Sequence, residues 1–164
     1  MTSTLDIAKE VARHLIAKGW TLALAESCTG GLVCAALTDL AGSSDWFERG
    51  YITYSNQAKT ECLSVPAKTI ASFGAVSEEV AKAMAEGAQK NAGVNAAVSI
   101  TGIAGPTGGS TEKPVGTVCF GWTVQKENFR SITTSKTMQF AGDRQAVRAQ
   151  ACDYALSELI ELLK

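Results

Sequence analysis

An apolar run, Thr21 to Ala25, breaks directly into Glu26-Ser27-Cys28-Thr29-Gly30-Gly31, and a new periodic apolar segment begins at Leu32. The run is too short for an ordinary helix and suits a buried strand, whereas Leu32 to Leu40 carries helical spacing. A strand joined to a helix by so short a turn is a unit of open α/β sheets. In such sheets ligands bind beyond the carboxyl ends of the strands. Gly30 and Gly31 also let backbone come close to whatever binds there.

The rest of the chain repeats the alternation. Leu5 to Lys18 reads as a helix, with Ile7, Val11, Leu15 and Ile16 at helical spacing and Gly19 as its stop. Gly50 to Tyr54 is a strand, Asn56 to Leu63 a short helix, and Lys68 to Phe73 another short turn of helix after Pro66. Ser77 is the N-cap of a helix running through Val80, Met84 and Ala88 to Asn91-Ala92-Gly93. Ala96 to Thr101 is strand-like, and Gly102 to Pro114 is a long loop. Val115 to Val124 and Phe129 to Phe140 read as two strands turning at Lys126-Glu127-Asn128. Asp143 to Leu163 closes the chain as an amphipathic helix. This order predicts an α/β fold, a three-layer α/β/α sandwich with a mixed, mostly parallel sheet. With 164 residues and neither repeat nor linker, residues 1–164 form one expected domain.

Composition narrows the function classes. Hydrophobic residues make up 46% and charged residues 19%, enough apolar content for a core. Net charge is −1 and no Lys/Arg run is present, so no nucleic-acid partner is expected. No apolar stretch approaches the roughly 20 residues of a membrane span. The polar start, Met1 to Asp6, has no leader pattern, and the expected location is cytoplasmic. The cysteines, Cys28, Cys34, Cys62, Cys119 and Cys152, are odd in number and form no CxxC pair. They read as reduced thiols. With a single histidine, His14, no metal site or cofactor is expected. Apolar residues around Trp46 and Phe47 suggest core or a homo-oligomer contact.

Three polar segments fall at strand ends: Glu26 to Gly31, Tyr54 to Lys59, and Thr101 to Gly109. Ser27 is either a nucleophile or a plain helix cap. Backbone N–H groups of Cys28 and Thr29 are expected at a helix N-terminus, where they would hold an oxyanion or phosphate. A serine nucleophile needs a base, usually histidine, but His14 lies mid-helix before the whole site. Lysine is the other known partner, and Lys59 sits one turn into the helix that Asn56 begins. A lysine acts as a base near neutral pH only when desolvated or near another cation, so Lys59 must be withdrawn from water to serve. Cys28 is the rival nucleophile but lacks a histidine as well. Glu26 either orients Lys59 or is capped and solvated. The loop from Thr101 through Gly102 and Gly105 is either an anion cradle or a plain connection. Arg144 reaches either a phosphate or a surface carboxylate.

These segments, together with Ala41-Gly42-Ser43-Ser44, Lys113-Pro114-Val115-Gly116-Thr117-Val118 and Gly142-Asp143-Arg144, closely resemble the CinA C-terminal domain family, in order and over nearly the whole chain. The resemblance is to its stand-alone form. It implies hydrolysis of the carboxamide of nicotinamide mononucleotide, in pyridine nucleotide recycling, by a Ser/Lys amidohydrolase. Carried over by motif, Ser27 is the nucleophile, Lys59 the general base and Tyr54 a supporting catalytic residue. Cys28, Thr29, Gly30, Gly31, Asn56, Thr101, Gly102, Gly105 and Arg144 are the expected substrate-binding residues for a small nucleotide. The competing expectation is a nucleotide-binding or regulatory module without turnover.

Overall fold

A computed structural model describes residues 2–164. Helix α1 (Thr4–Lys18) opens with a capping box between Ser3 and Asp6, and Gly19 closes it in the left-handed conformation. Its buried stripe is Ile7, Ala8, Val11, Ala12 and Leu15. Strand β1 (Leu22–Glu26) is buried at every position. Helix α2 (Leu32–Thr38) follows the turn and ends two residues before the expected Leu40, with the Thr38 hydroxyl donating back to the Cys34 carbonyl.

Strand β2 (Phe47–Ile52) differs from the Gly50 to Tyr54 expectation. It lies at the sheet edge and exposes Glu48 and Arg49, so no alternating apolar pattern announces its start. Thr53 and Tyr54 leave the strand and turn into α3 (Asn56–Leu63), capped by Ser55. Helices α4 (Ala67–Phe73) and α5 (Glu78–Ala92) follow, the latter capped by Ser77. Strands β3 (Ala96–Gly102), β4 (Thr117–Gln125) and β5 (Ser131–Gln139) then lead to α6 (Arg144–Leu163), capped by Asp143.

The five strands form one sheet in the order β2-β1-β3-β4-β5. Strand β1 pairs in parallel with β2 and β3, while β4 runs antiparallel to both its neighbours. Four strands therefore point one way, and only β4 opposes them. Leu22, Leu24, Val98 and Ile100 face α1, α2 and α6, where Phe120 stacks on Trp122 and Tyr154 leans against both. The other face is built of small residues, Ala23, Ala25 and Ala97, so α5 lies close to the strands. Any side chain at Gly121 would strike the Ala81 carbonyl of α5. Trp46 is a core residue, 2% exposed, so it offers no surface for a second copy.

Candidate active site

The parallel strands β1 and β3 end side by side, with Glu26 opposite Ile100, and β2 ends at Ile52 beside Glu26. All three expected segments therefore converge. They enclose a cleft of about 290 Å³ whose wall includes Ser27, Tyr54, Lys59, Thr101, Gly105 and Arg144. A larger hollow, about 490 Å³, is lined by Lys18, Trp20 and the β4–β5 turn. It holds no nucleophile paired with a base.

Ser27 follows β1 directly, its amide donating to the Ile100 carbonyl at 3.0 Å. Lys59 comes from α3 and is 1% exposed. Its Nζ lies 3.0 Å from Ser27 Oγ, 3.0 Å from the Thr53 carbonyl and 3.3 Å from the Tyr54 carbonyl. Burial away from water disfavours the ammonium and lowers its pKa from the ordinary 10.5. Nζ donates to Ser27 Oγ as well as to the two carbonyls. In the neutral amine two N–H bonds serve the carbonyls, which frees a lone pair to accept the Ser27 proton.

Glu26, fully buried, does not approach Lys59. Its Oε1 accepts from the amides of Gly31 and Val33, each at 3.1 Å, and its Oε2 accepts from Cys34 at 2.9 Å. The carboxylate caps α2 from the preceding strand. This corrects the expectation for the turn. Helix α2 begins only at Leu32, and its free N-terminal amides are held by Glu26. The amides of Cys28 and Thr29 lie in the turn itself, where they donate to no backbone acceptor.

The other expected residues divide. Cys28, Asn56, Thr101, Gly102, Gly105 and Arg144 line the cleft; Thr29, Gly30 and Gly31 do not. Thr29 is fully buried, the Gly30 amide donates to the Ser27 carbonyl, and the Gly31 amide belongs to Glu26. The Tyr54 ring is 62% exposed and its hydroxyl accepts from Arg144 Nη2 at 3.0 Å. Arg144 also donates to the Gly105 carbonyl at 2.8 Å and has no carboxylate partner among the described residues. The surface ion pair is thus not what it forms. The Cys28 thiol is 6% exposed, and burial pushes its pKa up to about 12. It is held as a thiol, not a thiolate. His14 sits on α1 beside Glu10 and Arg13.

Sequence reasoning missed three contributors. Ala75 and Val76, between α4 and α5, form part of the wall, and Thr101 Oγ1 fixes that loop by donating to the Ala75 carbonyl at 2.9 Å. Nothing in two small apolar residues marks them beforehand. Arg148 donates to the carbonyls of Cys28 and Thr29. Its four-residue spacing from Arg144 was the available signal, because it puts both on one helix face.

The model of the CinA C-terminal domain matches residues 4–163. The chain belongs to the CinA C-terminal domain family. Its similarity to the following proteins covers nearly the whole of both chains. It is 51% identical over 160 residues to the nicotinamide-nucleotide amidohydrolase PncC of Enterobacter agglomerans, spanning 97% of this chain and 95% of that one. It is 52% identical over 155 residues to PncC of Escherichia coli K12, covering 94% and 92%. Among solved structures, the competence damage-inducible protein A of Klebsiella pneumoniae superposes with a TM-score of 0.91 at 45% identity, covering 98% of this chain and 97% of that one.

Proposed function

We propose that this CinA-family chain is an enzyme that hydrolyses the carboxamide of nicotinamide mononucleotide, giving nicotinate mononucleotide and ammonia in pyridine nucleotide recycling. The names of its PncC relatives support the substrate. The observation that carries the chemistry is a buried lysine amine 3.0 Å from a serine hydroxyl, with no carboxylate in the cleft wall.

In this reading neutral Lys59 takes the proton of Ser27 as Oγ attacks the carboxamide carbon. The carbonyl oxygen becomes an oxyanion beside the free amide of Cys28, a residue of the cleft wall. Lys59 returns its proton to the departing nitrogen, and ammonia leaves an acyl ester on Ser27. Water then attacks that ester, with Lys59 again as base, and the acid is released. The anionic ribose phosphate is met by Arg144 and by the loop after β3, where the amides of Gly105, Thr107, Gly108 and Gly109 donate to no backbone acceptor. Tyr54 contributes its carbonyl to Lys59 and its hydroxyl to Arg144, a positioning role. The reaction needs no partner beyond the small nucleotide. The compartment this reading proposes is the cytoplasm, where such a nucleotide would be recycled. No helix among the described residues is long and apolar enough to cross a membrane.

The deciding assay is ammonia release from nicotinamide mononucleotide. The wild-type protein is expected to release it, and Cys28→Ala to keep kcat within about threefold of wild type, as a thiol with no catalytic step requires. A folded wild-type protein that releases no ammonia would end the proposal, and a dead Cys28→Ala would move the nucleophile to sulfur.

The lysine base also sets a pH dependence. Activity needs neutral Lys59, so kcat/KM is expected to fall as pH drops through the folded pKa of Lys59, which lies below 10.5. Stability follows the same group. Between its folded pKa and 10.5 the unfolded chain binds more protons, so stability rises with pH across that window. A pH–rate profile checks the first part. An acid limb at the ordinary lysine value would remove Lys59 as the base.

A further inference from the structure

Arg148 stands one turn beyond Arg144 on α6, outside the cleft wall and half-buried behind the Ser27 turn. Its Nε donates to the Cys28 carbonyl at 3.1 Å and its Nη2 to the Thr29 carbonyl at 3.0 Å. No carboxylate pairs with it among the described residues. The guanidinium is therefore committed to two successive carbonyls of one turn, each held by a different nitrogen of its rigid planar fork.

A trans peptide is planar, and its C=O and N–H point to opposite sides. Fixing a carbonyl therefore aims the following N–H. The Ser27 carbonyl accepts from the Gly30 amide at 3.0 Å, which aims the Cys28 N–H the other way. Arg148 holds the Cys28 carbonyl and also the Thr29 carbonyl, and fixing the latter aims the Gly30 N–H at that Ser27 carbonyl. The Cys28 amide, in the cleft wall, has no backbone acceptor among the described residues.

We infer that Arg148 is a positioning residue for the amide hydrolysis, holding the Cys28–Thr29 and Thr29–Gly30 peptide planes so that the Gly30 N–H keeps the Ser27 carbonyl in place and the Cys28 N–H stays aimed as an oxyanion donor. The inference rests on Ser27 as the nucleophile. An aimed donor matters when charge develops on the substrate oxygen and contributes little before that, so its loss appears in kcat and not in KM. An arginine that only fastened α6 to the turn would lower stability and leave the kinetics of the folded protein unchanged.

The test measures kcat and KM for nicotinamide mononucleotide, with thermal unfolding, in Arg148→Met, Arg148→Lys and Ser27→Ala. Arg148→Met is expected to lose about 10- to 100-fold in kcat, short of the full loss of an oxyanion donor, with KM within about twofold. Arg148→Lys, which keeps the charge and loses the rigid fork, is expected to lie between Met and wild type. Where Arg148→Met does not fold, Arg148→Lys carries the comparison. Folded variants with wild-type kcat, or a loss lying wholly in KM, overturn the inference. If Ser27→Ala is inactive while the Arg148 variants match wild type, only the role of Arg148 falls. If Ser27→Ala remains active, the nucleophile assignment fails first.

Discussion

Ser27→Ala and Lys59→Met are each expected to lower kcat for ammonia release by roughly 10⁴-fold, and the double variant is expected to lose no more than either alone. The reason is that the two side chains perform one step. Among the described residues Ser27 Oγ has no other base within reach, its one further contact being the Tyr54 carbonyl at 3.5 Å, which accepts a hydrogen bond but does not take a proton. Lys59 has nothing else to deprotonate, since its other neighbours are the carbonyls of Thr53 and Tyr54. Removing either member removes the step, so the second removal is silent. Lys59→Arg separates charge from basicity. Guanidinium remains protonated at any pH the protein survives, so this variant is expected to be as inactive as Lys59→Met although it keeps the cation. Steady-state ammonia assays of the four proteins check this. Losses that multiply in the double variant would mean that the two residues act independently and that the 3.0 Å contact is not the catalytic pair.

Much of that site is legible in the sequence because its parts are local. Strand, turn and helix around Ser27 follow from a five-residue apolar run and two glycines. Lys59 stands three residues after Asn56, so any helix begun there carries it back toward the strand end. The residues that resisted sequence reading act across chain distance or against the local pattern. Glu26 is a charged residue at the end of a fully buried strand, and its three amide partners come from the cap and first turn of the next helix, which starts at Leu32. Arg148 acts on the turn from a separation of 119 to 120 residues. Strand β2 is hard to place because an edge strand needs only one side buried, so its polar residues hide its beginning. Trp46 reads as core or as a contact with a second copy, and the short turn of helix at Ser43–Asp45 precedes its entry into the core.

Glu26→Ala is expected to destabilise the protein by about 3 kcal/mol, and on a stability of roughly 5–15 kcal/mol that is a large share. The carboxylate is fully buried, a costly placement for a charge, and it is tolerated because three amides at the start of α2 converge on it. Their positive helix end offsets part of the desolvation. Alanine removes the acceptor and strands those donors, of which the Val33 amide is buried, and an unsatisfied buried donor costs about 1–3 kcal/mol. For a chain of this size each kcal/mol lowers Tm by about 2–4 °C, so a fall of about 6–12 °C is expected in thermal unfolding. Glu26→Gln distinguishes the cause. It keeps the volume and one acceptor oxygen, but its NH₂ faces the Cys34 N–H, donor against donor. If capping is what Glu26 does, Gln is expected to fall between Glu and Ala. A Gln variant as stable as wild type would show that side-chain volume, not the carboxylate, secures the turn. Because Glu26 and Ser27 are adjacent, loosening α2 also loosens the peptide planes that Arg148 holds. Loss of activity in Glu26→Ala is accordingly expected below the unfolding transition, where the protein is still folded but its nucleophile turn is no longer fixed.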